Sequence, residues 1–400
     1  MNEIESNDTF LPIASLQAVV NDHHKWVALA LHMEADNAVN PHNLLGLFTE
    51  LALHDALGGM DCILAVANPL TLDLDKMMQL PVRQIILSVS LAACVDETVQ
   101  QKLQHLQGRG FRIQLHGLPA HGAVLPNGVT SLALDCAAGI PLGSAEWLHK
   151  LGGPHLAENI DDLLRFEECH RAGFQRFSGN YPLHPASNAP RNEGTSRTRL
   201  LSLLGLIARD AESRELEALL KQDPALSYHL LKLVNSAAFA LKSHISSFGQ
   251  AINLLGRRQL QRWLQLLLYA GQQVDGKANP LLPRAALRAR LMESICQNCG
   301  GNRDEQDLAF MIGMFSLLEV LFVMPLSEII APLSLPDEAV VALLHHEGTL
   351  GLMLKLVEHA VGDSAPLTLD HLEGCEIELK TYWSCIEQAC RWAIQVSRDM

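Results

Sequence analysis

The sequence predicts two folds in one chain: an α/β half shaped as a shortened or incomplete TIM-like (β/α) barrel, followed by an all-helical domain. Three observations predict it. Short β-branched runs alternate with amphipathic helical runs up to about residue 185. The stretch Tyr181-Pro-Leu-His-Pro-Ala-Ser-Asn-Ala-Pro-Arg-Asn-Glu-Gly194 carries three prolines and interrupts both periods. From Thr195 onward the strand signal disappears and leucines recur at helical spacing, as at Leu200, Leu203, Leu204 and Ile207. The expected division is a barrel over 1–185, a linker over 186–196 and a helical domain over 197–400.

In the first half the expected strands are Trp26–Leu31, Cys62–Val66, Gln84–Ser90, Phe111–Leu115 and Thr130–Leu134, with a weaker one near Phe174–Phe177. Ile85-Ile-Leu-Ser-Val89 is apolar nearly throughout, the pattern of a parallel strand buried on both faces. The helices between them are expected over His42–Leu57, Thr71–Met78, Asp96–Gln107, Gly143–Lys150 and Asp161–Ala172. A full eightfold barrel takes about 250 residues, so a shortened or incomplete one is expected here. In the second half Asp223-Pro224 starts a helix over Ala225–Val234, with Asp as cap and Pro in the first turn. Further helices are expected over Arg257–Ala270, Leu282–Asn298, Glu305–Val323, Asp337–Leu344, Leu350–Val361 and Cys375–Ser397.

The apolar fraction of 48% supplies ample core and argues against global disorder. No uninterrupted apolar run reaches the roughly 18 residues of a membrane span, and the polar start Met1–Asp8 is unlike a secretory signal. A cytoplasmic protein without a membrane partner is expected. Nine scattered cysteines lack a disulfide framework and read as reduced thiols. Cys296-Gln-Asn-Cys299 is the lone Cys-x-x-Cys; it falls on a helical pattern and reads as ordinary helix cysteines rather than half a metal site. The net charge of −14 opposes nucleic-acid binding. Basic residues nevertheless gather at Gly256-Arg-Arg-Gln-Leu-Gln-Arg262.

Residues Asp223-Pro-Ala-Leu-Ser-Tyr-His-Leu-Leu-Lys-Leu-Val-Asn-Ser-Ala-Ala-Phe239, then Ile245-Ser-Ser, Ala251-Ile-Asn-Leu-Leu-Gly256 and Arg258-Gln-Leu, resemble an HDOD domain, which is HD-related and all-helical. The first half resembles a degenerate EAL domain through Gly110–Leu115, Leu156-Ala-Glu-Asn-Ile160 and Phe177-Ser-Gly-Asn-Tyr181. Together the order is similar to the bacterial EAL–HDOD signalling proteins of the YuxH-like group.

Active EAL domains hydrolyse cyclic di-GMP with two metal ions. By that resemblance the signature glutamate falls at Ala30 and its substrate-binding arginine at Glu34. The metal-binding Asn falls near Ala65, the next Glu near Ser88, the aspartate pair at His116-Gly117 and the water-positioning Lys near Ala133. The late glutamate survives as Glu158, and the Gln before Gly-Tyr is Ser178. One carboxylate remains where several would clamp two divalent ions. Glu34 in place of an arginine would repel a dianion, so binding of cyclic di-GMP is disfavoured. In the helical half the resemblance to HD phosphohydrolases puts the metal-binding His-Asp pair at Ser316-Leu317. His345-His346 reads as the end of a helix, where cations suit the dipole.

The expectation is therefore a non-catalytic signal-transduction protein, a pseudoenzyme with no catalytic, metal-ligating or ligand-binding residue and no cofactor. It would act through contacts with other signalling proteins, and a homo-oligomer stays open. Asn235, Ser236, Arg257, Arg258 and Arg262 are the candidate partner-binding surface. The alternative is a sensor that binds cyclic di-GMP or another nucleotide without hydrolysis; residual phosphodiesterase activity is the third reading.

Overall fold

A computed structural model describes residues 11–33, 46–48, 51, 53–184, 202–203, 205–206, 209, 211–221, 258–259, 261–269, 278–333, 335–362 and 366–399. The expected linker, the helix over Ala225–Val234, and Glu34, Asn235, Ser236 and Arg257 lie outside the described residues.

The first half closes into an eight-stranded barrel in sequence order. Its strands are β1 (Ala14–Val20), β2 (Trp26–Met33), β3 (Asp61–Val66), β4 (Ile85–Ser90), β5 (Arg112–His116), β6 (Ser131–Asp135), β7 (Leu156–Glu158) and β8 (Arg176–Phe177). β1 runs antiparallel to both neighbours, and every other pairing is parallel. The barrel is thus short but closed. β1 and β7, which the sequence did not single out, complete it.

Successive strand residues face opposite sides, so each strand presents one set to the lumen and one to the covering helices. Val19, Ala28, Ala30, Ile63, Ile86, Ala133 and Leu156 form the lumen's apolar cluster. The alternate set, with Leu29, Leu64, Leu87 and Ile113, belongs to the larger outer core. The helices over it are α1 (Glu97–Gly108), α2 (Ser144–Lys150) and α3 (Leu163–Ala172). Asp96 caps α1 and Asp162 caps α3, each accepting from backbone N–H groups of the first turn.

The N-terminal end of the lumen is closed by charge. Arg112 grips both Asp61 oxygens, at 3.0 and 2.5 Å, and Arg176 adds a contact of 2.5 Å. Asp61 and Arg176 are mostly buried, so this cluster closes one end and leaves the other as the mouth.

The second half comprises α4 (Ser213–Lys221), α5 (Leu281–Asn298), α6 (Arg303–Phe315), α7 (Asp337–His345), α8 (Gly348–Ala360), α9 (Leu379–Asp399) and shorter turns. α5 is buried on nearly every side. α6 starts on a capping box between Asn302 and Glu305. It approaches α5 so closely that a Cβ on Gly313 would lie 2.5 Å from the Ala289 Cα. The expected helix Glu305–Val323 is divided: α6 ends at Phe315 and a short helix resumes at Leu318. Residues 337–360 are apolar enough, by length and composition, to cross a membrane. They turn at His346, whose φ is 55°, and form α7 and α8 of the helical half.

The two halves share one continuous apolar core. On α9 the buried Trp383 donates from Nε1 to the Pro12 carbonyl at 2.8 Å, and the buried Tyr382 hydroxyl donates to the Ala14 carbonyl at 3.1 Å. Arg284 of α5 donates to the Gly179 carbonyl at 2.6 Å. Both indole and phenol satisfy their polar atoms while burying their rings, which makes them effective anchors between the halves.

Candidate functional site

Strand register decides which side chains reach the mouth. Ala65 pairs with Ser88, Ser90 with His116, His116 with Ala133, and Asp135 with Glu158. These residues keep the parity of the lumen cluster, as does His32, two residues beyond Ala30. Ser178 stands two residues beyond the lumen-facing Arg176 and is buried. The positions that the EAL resemblance marks (Ala30, Ala65, Ser88, His116, Ala133, Glu158 and Ser178) therefore fall on one lumen face. Gly117 follows at a φ of 112°, the backbone turn out of β5.

At the centre, His116 Nε2 lies 3.0 Å from Glu158 Oε2. The hydrogen bond to Glu158 raises the His116 pKa above the usual imidazole range; desolvation opposes it, and the charges of Glu158 and Asp135 reinforce it. His32 behaves in the opposite way. Desolvation lowers its pKa, partly offset by Glu158, although the residue keeps a path to solvent through the mouth. The mouth thus places two imidazoles of opposite tendency beside two carboxylates. His32 and Asp135 were not picked out from the sequence. The signal was there in the period of two, since Ala28-x-Ala30-x-His32 and Ala133-x-Asp135 continue one strand face.

Among the described residues no group of three or more His, Cys, Asp or Glu side chains gathers as a metal site. Two hard divalent ions need more carboxylate oxygen than Asp135 and Glu158 bring, so the donors among the described residues do not by themselves fit a two-metal centre.

The helical half holds a second polar cluster. Ser316, where the resemblance puts a metal-binding histidine, accepts from Arg288 at 2.8 Å and donates to the Gly313 carbonyl at 2.8 Å. Arg288 also pairs with Glu358 at 3.0 Å, and Glu358 pairs with His346 at 3.0 Å. Leu317 is buried. A fixed guanidinium supplies the positive charge in this cluster. His346 caps α7 as expected for a helix end, and in addition reaches Glu358.

Arg258 and Arg262, put forward as a partner-binding surface, are held within the chain. Arg258 pairs with Asp304 and, at 3.3 Å, with Asp307. Arg262 pairs with Glu293 and Asp307, both at 2.5 Å, and lies over the Phe310 ring. Cys296 is buried, its thiol pushed up to about 11 by desolvation. Cys299 is more exposed and donates to the Cys375 carbonyl at 3.5 Å.

Comparison with known proteins adds four findings. The HDOD domain family matches residues 198–328. An uncharacterized protein YuxH of Bacillus subtilis is 27% identical over 59% of this chain, an alignment that spans only 58% of that relative's own length. The cyclic di-GMP phosphodiesterase CdgJ of Vibrio cholerae is 26% identical over 80% of this chain and 76% of its own. Among solved structures, the YkuI protein of Bacillus subtilis, described as having an EAL domain in complex with substrate c-di-GMP and calcium, overlaps 62% of this chain and 73% of its own at 15% identity and a TM-score of 0.33.

Two expectations are corrected here. The expectation that the chain is no enzyme is overturned by its likeness, over most of both lengths, to a relative named a cyclic di-GMP phosphodiesterase. The expectation that cyclic di-GMP binding is disfavoured falls with it. Physically, Glu34 is one residue, and the mouth also offers an anion the raised imidazole of His116.

Proposed function

We propose that this EAL–HDOD chain serves cyclic di-GMP signalling, and that its barrel mouth receives the dinucleotide. The observation that carries the reading is the convergence of His32, Ser88, Ser90, His116, Asp135, Glu158 and Ser178 on one lumen face. Cyclic di-GMP presents two phosphodiester anions and two guanines. An imidazolium at His116, held charged by Glu158, suits a phosphate oxygen. Carboxylates at Asp135 and Glu158 suit the N–H donors of a guanine edge, as they do when proteins read bases.

We read the chain as a barrel over 1–185, a linker over 186–196 and a helical domain over 197–400. Arg284 on α5 grips the Gly179 carbonyl in the loop that follows Ser178, which puts the helical half in direct touch with the mouth. Occupancy of the mouth would reach a protein partner through that half.

Calorimetric titration of the full chain with cyclic di-GMP tests the reading. Saturable heat at micromolar ligand, lost in His116→Ala, supports it; no heat from the folded wild type rejects it. Incubation of the same preparation with cyclic di-GMP and Mg²⁺ or Mn²⁺ separates recognition from turnover of the kind for which CdgJ is named.

A further inference from the structure

A cavity of about 320 Å³ lies in the helical half, away from the barrel mouth, where α5 and α6 meet the helical residues 261–267. Four guanidiniums line it, Arg258, Arg262, Arg290 and Arg303, against two carboxylates, Glu293 and Asp307. Small-molecule pockets of this size are usually apolar. This one is polar and has a cationic excess along its lining, so its chemistry selects a charged ligand.

The arrangement is built rather than incidental. Glu293 is only 5% exposed and holds Arg262 and Arg290, each at 2.5 Å. Asp307 holds Arg262 at 2.5 Å and Arg258 at 3.3 Å. The Phe310 ring supports Arg262 from below, 4.9 Å from its guanidinium carbon. A guanidinium carries five N–H donors in a rigid fork, and one or two ion pairs do not exhaust them. The buried carboxylates therefore fix the forks in place and leave donors for an oxyanion. At the rim, Arg258 is half exposed and its partner Asp304 is 85% exposed, a surface pair that an incoming anion can displace at little cost. Arg303 opens α6 and makes no ion pair among the described residues.

Three glutamines complete the lining: Gln259, Gln297 and Gln306. A carboxamide both donates and accepts, which suits the edge of a planar base more than a bare oxyanion. We propose that this cavity is a binding site for a small phosphorylated ligand of the nucleoside monophosphate class, with arginines on the phosphate and glutamine amides on the base. The site is separate from the barrel mouth and does not rest on the function proposed for it.

The test is calorimetric titration of the full chain with GMP, AMP, ribose 5-phosphate and inorganic phosphate. The expected result is saturable binding of at least one nucleotide, weakening as salt rises. Arg303→Ala and Arg258→Ala should each weaken it about tenfold or more, with the thermal unfolding midpoint unchanged. Gln306→Ala should weaken the nucleotide and leave inorganic phosphate unaffected. No saturable heat for any probe at millimolar concentration overturns the proposal, and so does nucleotide affinity that survives the Arg258→Ala/Arg303→Ala pair. Inorganic phosphate binding as tightly as the nucleotides overturns the assignment of the base to the glutamines.

Discussion

His116 on β5 and Glu158 on β7 meet across β6, Nε2 to Oε2 at 3.0 Å, at the open end of the barrel. The pair sets the charge of the mouth. Because Glu158 raises the His116 pKa, the stability that this contact contributes is fully present below the imidazole's unfolded value of about 6.5 and is lost as pH rises through the raised folded value. The His116 ring is half exposed, so solvent screening keeps the effect small. Following the His116 ring protons by NMR through a pH titration should show an upward-shifted midpoint in the wild type and a return toward the ordinary value in Glu158→Gln. An unchanged midpoint in that variant would contradict the assignment.

The cluster of Arg288, Ser316, His346 and Glu358 should behave as a structural ion network. Arg288 is 4% exposed, so Glu358→Ala takes a carboxylate away from a buried guanidinium. Breaking a buried pair from one side costs about 3–5 kcal/mol, a loss readable in urea denaturation. For Glu358 burial acts to raise the pKa, but the His346 hydrogen bond and the Arg288 charge outweigh it and hold the carboxyl low. His346 is raised, chiefly by its bond to Glu358. The network should therefore contribute most between those two values, weakening in acid as Glu358 protonates and at higher pH as His346 loses its proton.

Arg284 joins the halves at the mouth through the Gly179 carbonyl. Gly179 has a φ of 140°, and a Cβ there would lie 2.3 Å from backbone atoms of Ile160, so this loop has one way to run. Arg284→Met keeps the volume and removes the donor. It should cost about 1.5–3 kcal/mol, the range for a hydrogen bond to a charged group, measured as a shift in the urea midpoint. It should also weaken cyclic di-GMP binding, because the loop beside Ser178 loses its anchor.

Trp383 tests the seam between α9 and the start of β1. It is 1% exposed and bonds to the Pro12 carbonyl. Trp383→Ala should destabilise the chain by about 3–5 kcal/mol, and thermal unfolding should then show the barrel and helical half losing structure at separate temperatures. A single unchanged transition would mean that the seam contributes little.

Much of this fold is legible in the sequence where one physical rule dominates. β3, β4 and β6 carry apolar runs, and the expected strands match β3 to β6 to within a few residues. Leu282–Asn298 matches α5 because its ends carry clear breaks at Pro280 and Gly300. β1 escaped because Ser15 and Gln17, which break its apolar run, face the lumen, and its partners are antiparallel. β7 is three residues long, too short for any period to register. At the site, the marked positions Ala65, Ser88 and Ala133 do face the mouth, whereas His32 and Asp135 become visible only once strand parity is known. The ion pairs of Arg258 and Arg262 could not be read at all, because their carboxylates lie 31 to 49 residues away on other helices.

The most direct test of the proposed mouth is a crystal structure of the full chain grown with saturating cyclic di-GMP. The dinucleotide should lie at the open end of the barrel, with a phosphate oxygen at His116 and a guanine edge at Asp135 or Glu158. Density for the ligand at any other place, or a mouth still bridged by His116 and Glu158 alone, would contradict the account.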